Sequence, residues 1–367
     1  MTGSAPITAV RVSAYRYPTE RPEADGTLAW GATTLVLVEI DAGEHTGLGY
    51  TYADASLVRL ISDGLASLLA QADPFAIGAV TDRLWRAVRN LGRSGLAACA
   101  ISSLDTALWD LKAKLCGLPL VTLLGARREA IPVYGSGGFT TDTADHCQRQ
   151  LAEWVEEHGC RWVKMKVGRD AVRDINRVAA ARSAIGDAGL FIDGNGAYSS
   201  REAISFARSI AEHDVSWFEE PVSSDDLAGL REVRRAISAR GQAMDVAAGE
   251  YAYTADDCRE LLQRGAVDVM QADVTRCGGI SGFLQASALC DAFHTDLSAH
   301  CAPALHRHVA CAVPRLRHIE WFHDHVRLES ALFDGAPQLS QGVIQPELDR
   351  PGHGLIFKHA DAARYRV

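Results

Sequence analysis

Two rhythms of apolar and polar positions divide the chain. Near the start, TAVRVSAYRY and TTLVLVEIDA alternate or run apolar as half-buried strands do, and GLGYTYA reads as a third strand or a loop. From Ser56 to Lys114 the pattern turns helical. It ends in LDTALWDLKAKLCGLPL, where Leu104, Leu108, Leu111 and Leu115 recur at helical steps until Gly117 and Pro119 stop the helix. This block is α+β.

After Arg128 the rhythm changes. Short β-type runs (IPVYGSGGF, RWVKMKVG, LFIDGN, SWFEEP, DVAAGE, VDVMQADV, DLSAH and HIEWF) alternate with amphipathic stretches such as AVRDINRVAAARSAIG. Eight strands separated by helices imply βα units with parallel pairing, an α/β architecture that most simply closes into a barrel. From His323 the rhythm breaks, and the last segment is expected to return over the N-terminal block.

Charge and composition narrow the function. A net charge of −9 argues against a nucleic-acid binder. No apolar run reaches the roughly 18 residues of a membrane span, and the N-terminus lacks the basic and apolar segments of a secretory signal. The nine cysteines are scattered without a CxxC pair, as expected of reduced thiols in a cytoplasm.

Candidate chemistry lies at the C-terminal ends of the barrel runs. Lys164 and Lys166 end the second, Asp193 the third, Glu219 and Glu220 the fourth, and Glu250 the fifth. Asp273 ends the sixth, His300 the seventh, and Glu320 lies in the eighth. A barrel builds its active site at that face from several strands. Any one of these acids is more simply an ion-pair partner or a solvated group. Asp193, Glu219 and Glu250 on three successive strands would repel one another, and a hard divalent cation with oxygen ligands resolves that conflict. Glu220 is predicted to face the other way, because side chains alternate along a strand.

Lys164 and Lys166, two apart, share a face. Burial and a like-charged neighbour are expected to lower a lysine's pKa and so make a base. On an isolated strand, a pair of surface lysines would be the simpler reading. Asp273 beside His300 would fix the imidazole's tautomer and raise its basicity. His306 and His308 read as ordinary helix or loop residues. Ser136, in the first barrel strand, is a candidate contact to a substrate carboxylate.

These positions together resemble a known family. KMK at 164–166, DGN at 193–195, EEP at 219–221, GE at 249–250, Asp273 ahead of CGG, His300 and Glu320 look like the ordered motifs of the mandelate racemase subgroup of the enolase superfamily. LDTALWDLKAKLCGLPLVTLLG resembles that superfamily's capping-domain signature, so the resemblance spans nearly the whole chain. It implies a modified TIM barrel, (β/α)₇β, over residues 129–322, an α+β capping domain over 1–128, and a C-terminal segment, 323–367, that completes the cap.

The resemblance also implies roles. Asp193, Glu219 and Glu250 would bind Mg²⁺. Lys166, with Lys164 beside it, would be the base on one face of the substrate, and His300, paired with Asp273, the acid or base on the other. Glu320 would hydrogen-bond a carboxylate oxygen of the enolate. The reaction would begin with removal of the proton next to a carboxylate, the new charge being held by the cation and fixed donors.

Two N-terminal loops that reach over the barrel mouth, 19–31 and one near Tyr50 to Asp54, are expected to set specificity. Glu20, Arg21 and Asp25 suit a polyhydroxylated acid better than a phenyl ring. Dehydration of an acid sugar is therefore the first expectation, racemisation or epimerisation the second, and a silent binding protein on the same fold the third. The expected partner is a small-molecule carboxylate, with neither nucleic acid nor membrane, and a homo-oligomer is expected.

Overall fold

The computed structural model describes residues 5–367. It opens with an antiparallel sheet of β1 (Ile7–Ala24), β2 (Ala29–Ala42) and β3 (His45–Tyr52), in that order. The helix Leu96–Leu115 packs across this sheet, burying Leu104, Leu108 and Leu111. Segment 19–31, read from sequence as a loop, is instead a β-hairpin tip. β1 runs on to Ala24 through an irregularity between Pro18 and Glu23, and pairs there with Trp30 and Ala29.

Eight parallel strands then close on themselves: β4 (Ile131–Gly137), β5 (Trp162–Lys166), β6 (Gly189–Asp193), β7 (Val215–Glu219), β8 (Asp245–Ala248), β9 (Val269–Ala272), β10 (Asp296–Ala299) and β11 (Leu316–Phe322), with β11 paired to β4. Seven helices longer than eight residues link them, from Ala144–Glu156 to Pro303–Ala312. The barrel expected from the alternating rhythm is present. That rhythm persists ten residues beyond β11, in the helix His323–Leu332.

Period-two alternation explains where the chemistry sits. On β5, Val163 and Met165 join the outer core under the helices, while Trp162 packs with Phe191 and Trp217 inside the barrel. Lys164 pairs in register with Phe191, and Lys166 with Asp193, one step nearer the mouth. Tyr134, Phe191, Trp217 and His318 fill the lumen beneath; the Phe191 and Trp217 rings stack at 5.1 Å. The barrel is thus a packed core with a polar top.

The C-terminal segment runs back to the sheet of β1–β3. His353 donates its backbone N–H to Asp110 (2.8 Å) and its ring lies 2.7 Å from the Leu48 carbonyl, while Phe357 packs on Tyr15. Among the described residues no helix is long and apolar enough to cross a membrane, and all nine cysteines are free.

Candidate active site

Every site residue expected from sequence lies at the mouth of the barrel, and all are buried. Lys166, Glu250, His300 and Glu320 line a cavity of about 420 Å³, roofed by Trp30, Thr33 and Tyr52 of the N-terminal sheet and by Asp54 just after it. Both segments expected to set specificity therefore contribute. Asp25 and Asp54 reach the cavity; Glu20 does not, being paired with Arg327 (3.2 Å) and His323 (3.4 Å).

Lysine and carboxylate interlock. Lys164 Nζ donates to Glu219 at 2.6 Å, lies 2.8 Å from Glu320 and 3.4 Å from Asp193, and Lys166 Nζ donates to Asp193 at 2.5 Å. This corrects the expectation of lowered lysine pKa values. Burial is the largest influence on Lys166 and opposes its charge, as does Lys164, but Asp193, Glu219 and Glu320 together outweigh them, so the net shift is upward. Lys164 moves the same way against its own burial, through Glu219 and Glu320.

Glu219 is pushed up to about 8 by burial and by the Asp193 carboxylate. Glu250 follows Gly249, whose φ of +135° and absence of a Cβ, which would fall 2.1 Å from the Gln271 carbonyl, let the chain turn tightly there. Glu250 is drawn to His300 Nε2, at 2.5 Å. Asp193, Glu219 and Glu250 therefore do not converge within 4.8 Å as a group; lysine and histidine hold them apart.

Glu220 departs from the expected alternation. It lies past the end of β7 with φ +37°, and its buried Oε1 has no partner. Burial, then Glu250 and Asp193, raise its pKa, so its carboxyl faces the acid cluster.

His300 is set as expected beside Asp273, with Nδ1 2.9 Å from Oδ2. Burial opposes its charge, but Cys301, Glu250, Glu320 and Asp273 together raise its pKa well above the usual imidazole range. Glu320 accepts from Ser136 Oγ (2.6 Å) and from the Cys301 backbone N–H (3.2 Å). Burial would raise its pKa, yet Lys164 and His300 hold it low, so in this arrangement the Glu320 carboxylate accepts these bonds. Ser136 reaches this carboxylate, not the cavity. His306 and His308 are helix residues, as read from sequence, and fully buried: His306 Nε2 accepts from the Val274 N–H and His308 Nε2 lies 3.0 Å from the His353 carbonyl.

Sequence reading missed Arg276, Cys301 and His325, all on the cavity wall. Arg276 lies 3.5 Å from Asp273 and 3.9 Å from Glu250. Its place three residues after a strand-end acid was the only available signal.

The donor set fits a hard divalent cation. Six carboxyl groups, Asp193, Glu219, Glu220, Glu250, Asp273 and Glu320, face four cationic ones, Lys164, Lys166, Arg276 and His300, and the two left over are matched by the raised pKa values of Glu219 and Glu220. The oxygen-only chemistry of the first four and the unpartnered Glu220 oxygen both suit an ion such as Mg²⁺.

The comparisons agree with this architecture. Residues 146–362 match the family described as Enolase C-terminal domain-like, and residues 8–125 the Mandelate racemase / muconate lactonizing enzyme, N-terminal domain. The chain belongs to the enolase superfamily, in its mandelate racemase/muconate lactonizing enzyme branch. It is 32% identical to 3,6-anhydro-alpha-L-galactonate cycloisomerase of Streptomyces coelicolor, over 98% of this chain and 99% of that one. A mandelate racemase/muconate lactonizing enzyme-like protein from Rubrobacter xylanophilus superposes with TM-score 0.94 at 45% identity, covering 99% of this chain and 100% of that one. L-talarate/galactarate dehydratase of Salmonella typhimurium, solved with Mg and L-lyxarohydroxamate, gives TM-score 0.89 at 29% identity, covering 100% of this chain and 94% of that one.

Proposed function

We propose that this chain dehydrates an acid sugar: it removes the proton next to the carboxylate and expels the neighbouring hydroxyl as water, leaving a 2-keto-3-deoxy acid. The observation that carries the reading is the placement of Lys166 and His300 on one cavity. Their strands, β5 and β10, are three steps apart around the barrel one way and five the other, so the two groups approach a bound substrate from different sides.

Mg²⁺ held by Asp193, Glu219 and Glu250 would supply fixed positive charge beside the substrate carboxylate. Lys166, freed from Asp193, takes the α-proton. Glu320 relays a proton from Lys164, 2.8 Å away, to a carboxylate oxygen as charge builds there. His300, held as a cation, gives its Nε2 proton to the departing hydroxyl, and Asp273 stabilises the ring. The raised His300 pKa favours this acid role. Thr33, Asp54 and Arg276 on the cavity wall suit a hydroxyl-rich chain. The superposed dehydratase acts on acids of this kind.

Incubation with a panel of mono- and diacid sugars and Mg²⁺, followed by semicarbazide detection of 2-keto-3-deoxy acid, tests the reading. A semicarbazone with at least one acid is expected. Inversion of the α-carbon without a keto product would replace dehydration by racemisation.

A further inference from the structure

Beside the oxygen-lined pocket, the barrel mouth carries a second group of donors of different chemistry. Among the described residues, His300, Cys301 and Glu320 form the one set of three metal-capable side chains whose ligand atoms lie within 4.8 Å of one another. Cys301 Sγ is 3.3 Å from His300 Nε2 and 3.3 Å from Glu320 Oε2, and those two atoms are 3.6 Å apart.

We infer that these three residues form a binding site for a thiophilic divalent ion, Zn²⁺ above all, that shuts off the active site when filled. A tetrahedral zinc with bonds of about 2.0–2.3 Å has ligand–ligand edges of roughly 3.3–3.6 Å. The observed triangle has edges of that size, and only the Glu250 carboxylate, 2.5 Å from His300 Nε2, has to withdraw. Sulfur and imidazole nitrogen select zinc over magnesium, whereas the neighbouring carboxylates select the reverse, so one cavity sorts two ions by hardness.

The surroundings hold each ligand in place. Asp273 accepts from His300 Nδ1, so Nε2 is the nitrogen offered to the ion once its contact with Glu250, at 2.5 Å, is released. Ser136 and Lys164 fix the other oxygen of Glu320. Cys301 and Ala302 both take positive φ, +53° and +40°, a conformation that non-glycine residues rarely adopt and that here turns the thiol to the cavity wall. All three ligands line the cavity. On binding, Cys301 and the His300 Nε2 each lose a proton to solvent, giving a thiolate–metal bond and a neutral imidazole ligand, and no redox change occurs.

Binding stands on this geometry alone; inhibition rests on the acid role proposed for His300. The test uses whole protein in excess Mg²⁺, titrated with Co²⁺ as a spectroscopic stand-in for Zn²⁺. About one equivalent should bind with a thiolate-to-cobalt band in the near ultraviolet and the strong visible absorption of a tetrahedral ion, and Zn²⁺ should displace it. Absence of the thiolate band in the wild type would overturn the site, whatever the variants do. Cys301→Ala should lose the band and weaken inhibition by Zn²⁺ about 10–100-fold or more; a band that persists in this variant would assign the ion elsewhere and also overturn it. If Zn²⁺ binds through Cys301 while turnover continues, the site stands and the role given to His300 falls.

Discussion

Asp273 and His300 stand just beyond the ends of two adjacent barrel strands, and the carboxylate accepts a hydrogen bond from the imidazole Nδ1 at 2.9 Å. The contact fixes which nitrogen faces the cavity and stabilises the ring as a cation. Arg276, 3.5 Å from the same carboxylate oxygen, keeps Asp273 charged: burial would raise its pKa, but His300 and Arg276 bring it down.

Asp273→Asn should therefore lower kcat by about 10²–10⁴-fold. The alkaline limb of the kcat–pH profile should also shift to lower pH, because a His300 without that charge gives up its proton more readily. A profile of unchanged shape would show that Asp273 does not tune His300.

Lys166→Ala and His300→Asn should each reduce net dehydration by at least about 10³-fold, the range of a lost general acid or base. Thermal melts of both variants should show a folded protein. Normal turnover in either would remove its residue from the reaction.

The cap docks on the barrel through a contact that tolerates no side chain. Gly279, at the start of helix Gly279–Ala292, has φ +75°, and a Cβ there would fall 2.4 Å from Asp105 Oδ1. Asp105 accepts the Ser281 N–H at 2.9 Å from the N-terminal sheet domain's long helix. Gly279→Ala should destabilise by about 1–3 kcal/mol, seen as a lowered unfolding midpoint. A wild-type midpoint would show that the two elements shift apart at no cost.

Glu329 makes stability depend on pH. It accepts from Tyr50 (2.6 Å) and Tyr52 (3.0 Å), yet burial pushes its carboxyl up from 4.5 to about 7. A folded pKa above the unfolded one means that the native state holds the extra proton. Its contribution is fully present below about pH 4.5 and is lost as pH rises towards and past 7, a difference of at most about 3 kcal/mol. Glu329→Gln should therefore gain stability relative to wild type at pH 8 and not at pH 4.5. Equal offsets at both pH values would contradict the shift.

How far the sequence reaches depends on whether a residue obeys a repeating geometry. Lys164, Lys166, Asp193 and Glu219 were legible because each sits inside a strand where alternation decides the face. Glu220 escaped because the chain leaves the pleat at φ +37°. Cys301 and Arg276 escaped for a similar reason: both follow strand ends, where no period applies. The hairpin tip of 19–31 was hidden by its polar composition, although β1 and β2 continue through it. Charge states were illegible for a different reason. The lysines' neighbours in sequence suggest a lowered pKa, and only their neighbours in space, Asp193 and Glu219, reverse it.

Removal of divalent ions should convert the site to the lysine-locked state described above. Dialysis against EDTA should abolish turnover, and Mg²⁺ should restore it. Full activity in metal-free protein would show that Asp193, Glu219 and Glu250 serve only as partners of Lys164, Lys166 and His300.

The most direct measurement is proton exchange at the substrate's α-carbon in D₂O, followed by NMR with acid sugars that are turned over and with close analogues lacking the leaving hydroxyl. The wild type with Mg²⁺ should wash deuterium into that carbon of the analogue, and Lys166→Ala should not. Dehydration that proceeds with no exchange in any such analogue, or exchange that survives undiminished in Lys166→Ala, would contradict the assignment of Lys166 as the base.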